Sequence, residues 1–265
     1  MEQSVLYYLP VWADALFFFI VLFGTVELGY RMGLTRRDTW KDADSGGGGV
    51  ALTSLFAILG LVLAFTYASG VSRLDSRKQA LLAEANALGT AFLRADIVAE
   101  PGRSELKNAL YQYALTRTIK QGTKTDKETV ATILNQTLEK QALLWPATQQ
   151  VIAQDNPDPI EALLVAAMND VIDAHTVRGA AILDRLPSIV IWMLLLVAAA
   201  ALSVAGFNAG LQGIMSRWRM SALTLVLSGV MVLIVDFDRP QEGMIIVPQY
   251  AIDSVISDME IDLNK

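Results

Sequence analysis

The chain has 265 residues, of which 53% are hydrophobic and 18% charged, and it contains no cysteine. Such a composition is too apolar for an ordinary soluble domain, and the absence of cysteine excludes disulfides, thiolate metal sites and cysteine nucleophiles. A net charge of −6 without a basic stripe disfavours nucleic acid as a partner.

Long uncharged runs lie toward both ends of the chain. No charged residue occurs in the 27 positions 46–72 or in the 30 positions 187–216. Each run exceeds the ~20 residues that a helix needs to cross the hydrocarbon core of a bilayer. The N-terminus has neither a basic region nor a small-residue cleavage site, so the first apolar segment is expected to be a retained anchor.

The apolar runs and their neighbours predict four membrane-spanning helices. Their expected bounds are 12–30, 50–72, 188–207 and 220–235. In the first span, Glu27 lies four residues before Arg31. This spacing favours an i,i+4 ion pair near the interface over an intramembrane carboxylate with a role in transport. The fourth is short, and we expect Trp218 and its flanking arginines to extend it.

Two of the predicted spans carry stripes of small residues. Gly60, Ala64 and Ala68 recur on the second span, and four more lie around the end of the third span, at Ser203, Gly206, Gly210 and Gly213. Small residues let helix backbones approach closely in lipid. These stripes suit either packing within the chain or contacts between copies of it.

The polar middle of the chain, residues 73–186, has helical periodicity throughout. A heptad-spaced apolar stripe continues directly from the second span, formed by Leu74, Leu81, Ala85, Leu88, Phe92 and Ala95. The second helix is therefore predicted to project beyond the membrane and to end near Pro101.

Three more helices are predicted before the chain re-enters the membrane at Pro187. The first covers about 103–120 and ends at Gln121-Gly122. The next begins at a capping box, residues 125–128, and runs to about Ile152 with a kink or break at Trp145-Pro146. After a loop at 155–159, with Asp158 as the N-cap, the last runs to Leu186.

These elements predict an all-α integral membrane protein with four transmembrane helices and a helical extramembrane bundle between spans two and three. The expected division is a first transmembrane hairpin at 1–72, the bundle at 73–186, a second hairpin at 187–240 and an acidic C-terminal tail at 241–265. A lipid bilayer is the first expected partner.

Four stretches resemble a family of bacterial membrane proteins called bestrophin-like domain proteins. They are Gly-Leu-Val-Leu-Ala-Phe-Thr at 60–66, Glu-Ala-Asn-Ala-Leu-Gly-Thr-Ala-Phe-Leu-Arg-Ala-Asp at 84–96, Leu-Pro at 186–187 and Asp-Phe-Asp-Arg-Pro at 236–240. The second stretch is the most specific, because its polar residues are unusual for a plain bundle helix. In order and spacing, the four stretches cover most of the chain.

The resemblance implies similarity to bestrophins, oligomeric anion channels whose second membrane helix lines the pore. It therefore implies a homo-oligomer in a bacterial inner membrane that conducts chloride or another small anion. No bestrophin pore-neck motif can be carried over residue by residue. The alternatives are a membrane-anchored sensory or interaction protein whose bundle binds a ligand or partner, and a scaffold.

Polar residues on the second helix are the first candidate site. They form either the lining and mouth of a pore, with Arg94 attracting anions, or a hydrogen-bonded network that fixes the helices. The candidates are Thr66, Ser69, Glu84, Asn86, Arg94 and Asp96. Glu84 and Arg94 are too far apart to pair locally, so we expect each to meet another helix or another subunit.

A second candidate cluster, at the membrane edge, contains Asp236, Asp238 and Arg239. A capped and salt-bridged helix end is favoured over a cation site or gate. His175 is expected to be a histidine that packs within the helical bundle.

No motif of a catalytic, phosphate-binding or metal site is present. We therefore expect that the protein is not an enzyme and binds neither a cofactor nor a metal.

The sequence does not decide on which side of the membrane the bundle lies. Six basic residues flank each face of the predicted spans. Short loops dominate topology and favour an external bundle, whereas the resemblance favours a cytoplasmic one.

Overall fold

A computed structural model describes residues 10–40, 47–119, 127–153, 158–239, 241 and 243–265. Helix accounts for 87% of the structure, and no β-strand occurs within those ranges. Four helical stretches are long and apolar enough to cross a membrane: Val11–Thr39, Gly48–Ile97, Pro159–Gln212 and Arg217–Phe237. The prediction of an all-α integral membrane protein with four membrane helices is confirmed.

Eight α-helices follow one another in the described ranges. Their bounds are α1 Val11–Trp40, α2 Gly47–Arg94, α3 Gly102–Leu115, α4 Lys127–Ile152, α5 Asp158–Leu183, α6 Ser188–Gln212, α7 Arg217–Phe237 and α8 Tyr250–Leu263. A short 3₁₀ turn, Ala95–Ile97, follows α2. The chain divides into two compact units, the first of Met1–Ser72 with Arg185–Arg239 and the second of Arg73–Asp184 with Pro240–Lys265.

The first unit is built on the contact between α1 and α6. Glycines bring the two backbones together: a Cβ added at Gly29 would collide with the Ser203 carbonyl oxygen, and one at Gly206 with that of Val26. Side chains of α1, α6 and α7 fill the core around them, with Leu59 from α2. The small stripe on α6 thus serves packing within the chain, one of the two expected uses.

The membrane helices are longer than the sequence pattern indicated. α1 continues to Trp40 rather than stopping near Tyr30, α6 continues to Gln212, and α7 begins at Arg217 and ends at Phe237. Polar and charged residues at helix ends do not break a helix. Hydropathy therefore indicates the apolar part of a helix but not the residues at which the helix begins and ends. The Glu27–Arg31 ion pair is present at 3.2 Å, as predicted.

The second unit is a helical bundle with its own apolar core. The predicted stripe of α2 is buried in this unit, from Leu74 at 7% exposed to Leu88 and Ala95 at 0%. α3, α4 and α5 supply the facing side chains, and α8 contributes Ile252 and Met259. The C-terminal tail therefore contains an amphipathic helix that packs against α3, a contact that the sequence analysis did not anticipate.

Several predicted boundaries in this unit need correction or cannot be compared. α3 ends at Leu115 rather than near Lys120, and α5 ends at Leu183 rather than Leu186. α4 is one helix with Pro146 inside it, so the chain does not break there. The predicted helix end at Gln121-Gly122, the start of the capping box at 125–126 and most of the loop at 155–159 lie outside the described residues.

Candidate functional site

The membrane segment of α2 contacts little else within the chain. In the most apolar 18-residue stretch of this segment, 6% of the residues are buried inside the chain. In the corresponding stretches of the third and fourth spans, 44% are buried. The small stripe of α2 lies on this open side, since Gly60, Ala64 and Ala68 are all exposed. A Cβ added at Gly60 would meet no atom within 4 Å. The stripe of α2 is thus available to something other than this chain.

Hydroxyl side chains accompany the small residues on α2. Thr53, Ser69 and Ser72 are exposed, and the Thr53 hydroxyl donates to the Gly49 carbonyl at 2.9 Å. Thr66 is buried, and its hydroxyl donates to the Val62 carbonyl one turn back at 2.7 Å. Of the two hydroxyls proposed for a pore, Ser69 lies on the open side and Thr66 faces the interior of the first unit.

Glu84 is the centre of a buried ionic network in the second unit. Its carboxylate, 0% exposed, accepts a hydrogen bond from Arg117, two residues after α3, at 2.6 Å and another from Arg178 of α5 at 2.5 Å. The Tyr113 hydroxyl lies 3.4 Å from the same carboxylate. Burial, followed by the charge of Glu84, raises the pKa of Tyr113, so the phenol stays neutral and donates to Glu84.

Two guanidinium groups therefore share a single carboxylate away from solvent. This geometry is that of a hydrogen-bonded network tying α2, α3 and α5 together, the second of the two interpretations given to Glu84. Arg178 extends the network by donating to the Gln249 side-chain oxygen at 3.0 Å. His175, also buried, has its ring centroid 6.4 Å from that of Tyr113, and it is a histidine of the bundle.

The other three candidates, on α2 and in the 3₁₀ turn that follows it, are not part of the Glu84 network. Asn86 is exposed. Arg94 donates to the Leu163 carbonyl of α5 at 3.0 Å, so it meets another helix, as expected.

Asp96 forms an ion pair with Lys107, which also lies 2.5 Å from Asp262 of α8. Lys107 is 5% exposed and stacks over the Phe92 ring.

The membrane-edge cluster is buried inside the first unit. Arg239 is 2.5 Å from the carboxylate of Asp14, near the start of α1. Asp238 accepts a hydrogen bond from the Leu186 backbone amide at 2.9 Å. Asp236 is also buried. The geometry is that of a salt-bridged helix end that joins the start of α1 to the end of α7.

Sequence reasoning missed four charged partners of these candidates: Asp14, Lys107, Arg117 and Arg178. For Asp14, an acid at the start of one span and an arginine at the end of another are a recognisable signal for a pair. Arg117 and Arg178 gave no such signal, because their distances along the chain from Glu84 fit no local spacing. Within the described residues, no group of three or more His, Asp or Glu side chains is placed to hold a metal ion.

Comparison with known proteins agrees with this architecture. The model of the Bestrophin-like domain family matches residues 16–251. No curated protein matches the chain.

Among solved structures, crystal structures of a bacterial bestrophin homologue from Klebsiella pneumoniae share the fold. One mutant structure superposes with a TM-score of 0.68 at 12% identity, covering 100% of both chains. Another mutant gives 0.66 at 12% identity, covering 93% of this chain and 99% of the homologue. A third structure gives 0.65 at 14% identity, with 92% and 97% coverage. The chain is an integral membrane protein and belongs to the Bestrophin-like domain family.

Proposed function

We propose that this protein assembles as a homo-oligomer in the bacterial inner membrane and conducts small anions such as chloride along the open side of α2. The observation that supports the proposal is that 6% of the residues in the most apolar stretch of α2 are buried within one chain. In a homo-oligomer, the same open side from several copies can both contact a neighbour and surround a path.

The residues on that side suit both tasks. Gly60, Ala64 and Ala68 leave room for a neighbouring backbone. Ser69 and Ser72 add hydroxyl groups, which donate hydrogen bonds to a partly dehydrated anion. Asn86 stays a proposed polar residue of the path, and we assign Glu84 and Thr66 to internal packing instead.

The positive charge near the bundle entrance to the membrane supports an anion over a cation. Lys78 is exposed on α2, five residues after Arg73, which lies at the boundary between the two units and whose charge is offset by Asp184 at 3.2 Å. We place the bundle in the cytoplasm, as the bestrophin resemblance implies. These basic residues then also satisfy the preference for positive charge on the cytoplasmic side.

Chloride flux from liposomes tests the proposal. Purified protein is reconstituted into vesicles loaded with chloride, and efflux is followed with an ion-selective electrode after dilution into gluconate. We expect flux from the wild type and none from a Gly60→Leu variant, whose chains should fold without forming the wild-type oligomer. No flux from a correctly folded wild-type oligomer would contradict conduction and favour a sensory or interaction role for the bundle.

A further inference from the structure

The second unit contains a small recess next to the Glu84 network. Its empty volume is about 240 Å³ up to the open solvent, with room deep inside for about one water-sized particle. Arg77 of α2, Arg178 of α5 and three residues after α7, Gln241, Val247 and Gln249, are among those that line it. All belong to the second unit.

We propose that this recess binds one small inorganic anion, such as chloride. The site is distinct from the proposed conduction path, and its existence does not depend on conduction. The anion would receive hydrogen bonds from the Arg178 guanidinium and the Gln241 amide. Bound there, it would fasten Gln241 to Arg178 of α5.

The charge of the buried network calls for an anion rather than a cation. Arg117 and Arg178 both bind Glu84, so among the residues that the structure describes one carboxylate faces two guanidinium groups, which leaves this trio a net charge of +1. Uncompensated charge away from solvent is strongly unfavourable, and a nearby anion reduces that free energy. Guanidinium N–H groups also form strong charge-assisted hydrogen bonds to anions.

Gln241 supplies the second, independent indication of a ligand. Its side chain is 6% exposed, and its amide oxygen has no hydrogen-bond partner. Gln249 differs, because its oxygen accepts from Arg178 at 3.0 Å and its nitrogen donates to the Val247 carbonyl at 3.2 Å. A buried amide without a partner indicates a bound ion or water. Since the two ends of an amide can exchange places, Gln241 can present its NH₂ group to an anion.

Thermal unfolding of the full-length protein in detergent tests the site. Sodium chloride is compared with sodium gluconate at constant ionic strength, because gluconate is too large for the recess. We expect chloride to raise the Tm of the wild type by about 4–8 °C once it exceeds its dissociation constant by ~30-fold. Gln241→Leu should lose this increment.

Gln141→Leu is the matched control, since Gln141 of α4 also carries an amide oxygen without a partner but does not line the recess. It should keep the chloride effect. Gln241→Glu should lose it while staying stable in gluconate, because the new carboxylate takes the place of the anion. Equal chloride effects in the wild type and both Gln241 variants would overturn the proposal.

Diffraction from wild-type crystals grown in bromide gives a test that needs no variant. We expect an anomalous peak in hydrogen-bonding contact with Arg178 and Gln241. Water alone at that position, with no anomalous signal, would also overturn the proposal.

Discussion

Arg239 donates a hydrogen bond of 2.5 Å to Asp14, a residue 225 positions away along the chain, and both side chains are buried. The pair joins the two ends of the first unit, because Asp14 lies in the first turn of α1 and Arg239 follows α7. We therefore propose that Asp14 and the membrane-edge cluster hold the helices together.

Removing one partner of this pair should destabilise the protein strongly. We expect Arg239→Gln to lower the free energy of unfolding by about 3–5 kcal/mol, since it leaves a buried carboxylate without its counter-charge. Denaturation of the purified protein followed by circular dichroism measures the change. Arg31→Gln is the control: Arg31 is 73% exposed in its pair with Glu27, and its loss should change stability by less than ~1 kcal/mol. Similar losses in the two variants would contradict the assigned role of Arg239.

The Glu84 network predicts a stability defect rather than a change of ion selectivity. Glu84→Gln removes the carboxylate that Arg117 and Arg178 share. We expect a loss of about 3–5 kcal/mol from the leftover buried charges. Asp75→Asn, at an exposed position on the same helix, should have little effect. If Glu84→Gln left stability unchanged and altered only anion selectivity, Glu84 would belong to a pore.

Two glycine substitutions should separate folding from assembly. Gly206→Leu places a side chain against the Val26 carbonyl of α1, so we expect loss of folded protein. Gly60→Leu meets nothing within its own chain, so we expect a folded protein whose oligomer is smaller or absent. Light scattering coupled to gel filtration measures both outcomes.

Gly229→Leu is the control for Gly60→Leu, because Gly229 of α7 is equally open within the chain. It should keep the wild-type oligomer. An unchanged oligomer in Gly60→Leu would remove the argument that α2 contacts other copies.

The docking of α8 should not depend on pH near neutrality. The hydrogen bond from Lys107 lowers the pKa of Asp262 below its ordinary 3.8. Burial lowers the pKa of Lys107, but its hydrogen bonds to Asp262 and Asp96 outweigh burial and hold that pKa above 10.5. The Asp262 contribution is therefore present above pH 3.8 and lost below the lowered pKa, and the Lys107 contribution is present below pH 10.5 and lost above the raised pKa.

A spin label on α8 can measure this directly, because the chain has no cysteine of its own. With the label on Glu260→Cys, mobility should stay constant between about pH 5 and 9 and rise in stronger acid. Lys107→Met should free α8 at neutral pH, whereas Lys265→Met, which removes an exposed lysine 3.9 Å from Asp262, should not. A mobility change centred near pH 7 would show that another group controls the docking.

The sequence predicted those features that depend on local pattern. Four apolar stretches and the stripe from Leu74 to Ala95 required only hydropathy and helical periodicity, and Glu27–Arg31 required only i,i+4 spacing. Pairs such as Asp14–Arg239 and Glu84–Arg178 depend on which helices become neighbours, and no local spacing encodes that. The two small-residue stripes looked alike in sequence. Only the fold separates Gly206, packed on α1, from Gly60, which faces away from its own chain.

Cysteine modification during flux tests whether anions pass along the open side of α2. Ser69→Cys and Ala222→Cys each place a single cysteine at an exposed position, the first on α2 and the second on α7. Both variants are reconstituted in liposomes and treated with a negatively charged thiol reagent. If anions pass along α2, modification blocks chloride flux through Ser69→Cys and leaves flux through Ala222→Cys unaffected. Flux that is insensitive to modification on α2 but blocked on α7 would contradict conduction along α2.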